Sequence, residues 1–107
     1  MSATFQRVVD LITMGDVKVS DHGYDELAQD GIFAGDALVS VMDGIVVEDY
    51  PNYRKGPCVL VLQMDRDGRP IHVLRGFPKA RPAPAVLITA YRTDLRRWAP
   101  DFLRRLE

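Results

Sequence analysis

Two histidines, two hydroxyl side chains and a few arginines are the residues of this sequence best suited to chemistry. His22 and His72 are its only imidazoles. An imidazole titrates near neutral pH, so such a pair can divide general base and general acid duty. Tyr91 and Thr89 can donate hydrogen bonds to a phosphate, and the tyrosine ring can stack on a base. Arg75 and Arg92 offer guanidinium forks that match phosphate geometry. Gln63 adds an amide to the same set. The chemistry that these residues allow is proton transfer by His72, His22 and Tyr91, with Thr89, Arg75, Arg92 and Gln63 holding an anionic substrate. Each residue also has a plain structural explanation. His22 fits a surface or capping position, His72 a hydrogen-bonded sheet histidine, Tyr91 half-buried packing, and the arginines solvated charges.

Other chemistry has less support. His22, His72, Cys58 and Asp21 could supply metal ligands, but no two stand at the short spacing of a zinc site. Cys58 opens an apolar strand, where a free thiol is inert. There is no Gly-rich phosphate loop, nucleophile elbow or HExxH helix. The expectation is a site without metal or cofactor.

The elements that must position these residues change type along the chain. Phe5, Val8, Val9 and Ile12 recur at helical spacing, predicting a helix over 4–14 with Ser2 or Thr4 as cap. Ser20 and Asp21 start a second helix over 21–30, ended by Gly31. A third runs over 34–43, with Phe33 where a better cap would be Ser or Thr. From Gly44 onward, Ile45–Tyr50, Cys58–Met64, Pro70–Arg75 and Ala85–Tyr91 read as strands. Asp67-Gly68 suits a two-residue hairpin turn. That turn sets Gln63 opposite His72 and Leu62 opposite Val73. One sheet face is then apolar, with Leu60, Leu62, Met64, Ile71 and Val73. The other groups Gln63, His72, Thr89 and Tyr91. Residues 78–84 form a stiff basic loop, and Leu95, Trp98, Phe102, Leu103 and Leu106 predict a C-terminal helical segment. The expected fold is α+β, with N-terminal helices packed on a four-stranded antiparallel sheet and a C-terminal helix.

The 107 residues fit one domain, 1–107. No apolar run approaches the roughly 18–20 residues of a membrane span, and no secretory signal is visible. A single cysteine excludes an internal disulfide framework and fits the cytoplasm. The net charge of −1 is a cancellation. Residues 1–53 carry 2 basic and 10 acidic side chains, −8, and residues 54–107 carry 12 basic and 5 acidic, +7. The basic half points to an anionic partner.

Several short segments carry a family resemblance. They are Ser20-Asp21-His22, Gly31-Ile32 with Asp36, Gly44 through Pro51, Gly56-Pro57-Cys58, Gly68 through Val73, and Ile88-Thr89-Ala90-Tyr91-Arg92. In order and spacing the chain resembles the bacterial domain of unknown function 4258 over about residues 17–93. The order of helices and sheet in that family looks like the RelE-like and barnase- or colicin-like RNase toxins. The resemblance implies metal-independent cleavage of single-stranded RNA, with a cognate antitoxin or another small protein as partner. The sequence departs from the family pattern at Glu26 and Asp30, where relatives usually carry arginine. That reversal of sign motivates the alternative, a non-catalytic binding or accessory module that pairs with another protein.

Overall fold

The computed structural model describes residues 2–106. In chain order the elements are α1 (Ala3–Thr13), β1 (Val17–Val19), α2 (Asp21–Gln29), α3 (Ala34–Val39), a 3-10 turn (Ser40–Asp43), β2 (Ile45–Tyr50), β3 (Cys58–Met64), β4 (Pro70–Gly76) and β5 (Ala85–Arg92). The class is α+β. The sheet has five strands in the order β1-β5-β4-β3-β2, rather than the four antiparallel strands expected. The additional strand, β1, pairs parallel with β5.

Local chemistry explains the helix starts. Ser2 Oγ accepts from Phe5 N at 2.9 Å and so caps α1. Ser20 Oγ accepts from Gly23 N at 2.9 Å at the start of α2 and also donates to Ile88 O at 3.1 Å. One hydroxyl therefore caps a helix and ties it to β5. The helix lies so close that a Cβ on Gly23 would stand 2.8 Å from Leu87 O. Only glycine allows that approach.

All three helices cover one face of the sheet. Leu27, Ile32, Ile71, Val73, Leu87 and Ala90 form one apolar cluster there, and Val8, Leu11, Val59, Val61 and Ala85 form a second.

The hairpin register differs by one residue from expectation. Leu62 pairs with His72 and Gln63 with Ile71. The cause is the Asp65 carboxylate. Its Oδ1 accepts from Asp67 N and Arg69 N, both at 2.9 Å, while Asp65 N donates to Arg69 O. The loop is thus three residues long, with Gly68 at φ +75° in its left-handed position. A one-residue shift exchanges faces. Val61 and Gln63 turn toward the helices, and Leu60, Leu62 and Met64 share the far face with His72. A second irregularity falls in β5. Leu74 pairs with Thr89 but Arg75 with Leu87, leaving Ile88 as the extra residue. It puts Leu87 under the helices instead of on the far face.

The C-terminal helix does not form. Residues after β5 make turns, with an isolated antiparallel bridge between Trp98 and Arg105. Asp94 Oδ1 accepts from Arg96 N, and Asp101 Oδ1 from Leu103 N. Such short carboxylate bonds compete with helix, and Pro100 donates no N–H. The segment lies as a strap across the far face of the sheet.

Candidate functional site

The far face of the sheet has two halves. Under the strap, His72 is completely buried. The Trp98 ring lies 4.3 Å from the imidazole and the Tyr91 ring 5.3 Å, both edge-on. His72 Nε2 stands 2.8 Å from Phe102 O. A carbonyl only accepts, so Nε2 carries the proton, and Nδ1 is left without a partner. Burial lowers the pKa of His72 and holds the ring neutral. Phe102 reaches this position at φ +61°, a left-handed conformation that a large side chain seldom adopts.

A charged clasp fixes the strap. Arg105 donates through Nε and Nη2 to the Glu48 carboxylate at 2.8 and 2.9 Å, and Tyr50 donates to the same group at 2.6 Å. The Arg105 guanidinium also lies 4.7 Å from the centre of the Trp98 ring. The hydrogen bond from Arg105 lowers the Glu48 pKa, and the bond to Glu48 raises those of Tyr50 and Arg105. Beside the strap is a cleft of about 380 Å³ lined by Tyr91, Arg92, Asp94, Arg97, Trp98 and Arg105.

The residues expected to work together are dispersed. His72, Tyr91 and Thr89 do share the far face. Gln63 and Arg75 lie on the helix-covered face. There Arg75 is 1% exposed and donates to Gln63 Oε1 at 3.0 Å and to Ala37 O. Gln63 Nε2 donates to Ala37 O at 2.7 Å and lies 2.8 Å from Ser40 Oγ. The guanidinium therefore faces an amide and the carbonyl end of α3 rather than a carboxylate, and burial pushes its pKa down to about 10. Arg92 pairs with Asp65 at 2.8 Å, and its backbone N–H donates to Asp30 at 2.8 Å. Asp30 thus anchors the end of β5. His22 is exposed on α2, 3.6 Å from Glu26, with the sheet between it and His72.

The other half of the far face is an open groove of about 490 Å³. Its floor is Cys58, Leu74, Val86 and Ile88, and its walls include Tyr53 and Phe77. The walls belong to two loops, 51–57 and 77–84, joined by a bond from Phe77 N to Pro57 O at 3.2 Å. These loops contain Arg54, Lys55, Lys79 and Arg81 and no acid. Burial raises the Cys58 pKa, which keeps the thiol protonated. The sequence announced a basic loop over 78–84 but not its partner, since the two loops are neighbours only through the register of β3 with β4.

Residues 19–92 match the family described as Domain of unknown function (DUF4258). The chain belongs to this family. No curated protein and no solved structure matches it. The segment matched to DUF4258 contains both histidines, Tyr91 and the whole groove, whereas Trp98, Phe102 and Arg105 lie beyond it. Among the described residues no three His, Cys, Asp or Glu side chains are grouped to hold a metal. Among the described residues no helix is long and apolar enough to cross a membrane.

Proposed function

We propose that this DUF4258 domain is a non-catalytic binding module that pairs with another protein. The observation that carries the reading is the state of His72. It is the best-placed general base in the sequence, yet it is wholly buried with its protonated nitrogen on the Phe102 carbonyl. A general base needs hydrogen-bond reach to the proton it takes. The cations that would hold a phosphate are engaged as well, Arg75 in the core and Arg92 on Asp65. The test is incubation of the purified chain with single-stranded RNA in EDTA. Intact RNA is expected, together with a defined heteromeric complex when the chain is purified from its host. Cleavage that disappears in His72→Ala would overturn the reading.

A second reading has its own observation. Tyr91 and Trp98 contact His72 and also line the cleft that holds Arg92, Arg97 and Arg105. Aromatic faces beside arginines suit a single-stranded nucleic acid. With the resemblance to RelE-like toxins, this favours a metal-independent endoribonuclease whose strap lifts when RNA binds, and whose protein partner is a cognate antitoxin. Fold-level likeness alone is a weak warrant for activity, so this reading ranks second. The same RNA assay decides between the two.

A further inference from the structure

We propose that the open groove docks an extended acidic segment of the partner protein. Such a segment would set an apolar side chain on the Leu74–Val86–Ile88 floor and its Asp or Glu residues against the rim. The inference rests on the binding-module reading and names the chemistry of the partner.

Three observations carry it. The groove has the size of ordinary ligand pockets, a few hundred cubic ångströms, and its lining is mainly apolar. Lys55 lines it, and Arg54, Lys79 and Arg81 stand on the two loops that form its walls. None of the four makes an ion pair among the described residues, whereas Arg66, Arg69, Arg92, Arg96 and Arg105 pair with acids of the chain. Charges of one sign over low-dielectric walls focus attraction for the opposite sign. The third is the floor itself. Its side chains are aliphatic or thiol and give an apolar residue of a peptide a surface to pack on.

The experiment pans a library of random dodecapeptides against the full chain, then measures a fluorescein-labelled winner by anisotropy. Winners are expected to place Asp or Glu next to Phe, Leu, Ile or Trp. Combined Lys55→Glu, Lys79→Glu and Arg81→Glu should weaken binding by about tenfold or more, and Tyr53→Ala by about tenfold. High salt should weaken it further. All four side chains are at the surface, and thermal melts check that the variants fold. Winners without acids, or an affinity that the triple variant leaves unchanged, overturn the groove while leaving the binding-module reading intact. A dimer in sedimentation that the triple variant dissociates gives the groove to a second copy and also overturns the proposal. If no peptide is selected but labelled single-stranded RNA binds and is cut, both the proposal and the binding-module reading fall.

Discussion

The two halves of the far sheet face share strands, yet they differ in what covers them. One half holds a buried histidine, two aromatic rings and the Glu48–Arg105 ion pair that fastens the strap over them. The other has an aliphatic floor, two loops that touch each other, and four cations facing solvent. The residues with the more reactive chemistry are the ones the chain buries against itself. The residues with the plainer chemistry are the ones it leaves free. A side chain's reactivity in isolation is thus a poor guide to which surface of this protein is available to another molecule.

Mutations can break or sharpen that contrast. The largest effect should come from Trp98→Ala, which removes the buried ring over His72 and should cost about 3–5 kcal/mol in a denaturant melt. The matching change in the open half, Tyr53→Ala, should stay within about 0.5 kcal/mol. Equal losses at the two positions would erase the distinction.

The next test uses pH. Burial lowers the folded-state pKa of His72, so the unfolded chain takes up a proton first as the pH falls. Stability from this group is therefore fully present above the ordinary value near 6.5 and declines below it. His72→Gln keeps a donor for Phe102 and should flatten that acid slope in melts across pH 4 to 8. An unchanged slope would mean that His72 is not held neutral.

A smaller effect is expected at the clasp. Glu48→Gln leaves Arg105 without its charge partner on a partly exposed site, at a cost of about 0.5–1 kcal/mol that shrinks in high salt. The smallest belongs to the groove. Lys55→Glu with Lys79→Glu should leave the melting curve within about 0.5 kcal/mol. A large change there would mean that these cations serve the fold and not a partner.

Much of the architecture was legible in the sequence. Serine caps marked α1 and α2, and the alternation of apolar residues marked four strands to within a residue at each end. What escaped were features decided by competition or by distance. A carboxylate at Asp65 outbid the Asp67-Gly68 dipeptide for the turn, and one residue of slip moved Gln63 to the other face. Three residues of β1 are too few to display a period. The apolar spacing from Leu95 to Leu106 is as regular as a helix requires, but Asp94, Pro100 and Asp101 settle the backbone into turns. Arg75 reads as a surface charge because its acceptors, Ala37 O and Gln63, come from elsewhere in the chain. His72, Tyr91 and Thr89 did emerge on one face as their strands suggested. The strap that encloses His72 did not.

The parallel pairing of β1 with β5 also bears on the order of assembly. Each neighbouring pair from β2 to β5 is joined by one short connection, so those strands can find one another locally. Ser20 and Ile88, which meet at the end of β1, are 68 positions apart. Closing so long a loop costs chain entropy that the hairpins avoid. It is compensated only once β5 already offers an ordered edge. Loop-closure entropy therefore favours a sheet that grows from its hairpins outward, with the N-terminal strand and the helix that Ser20 caps docking late.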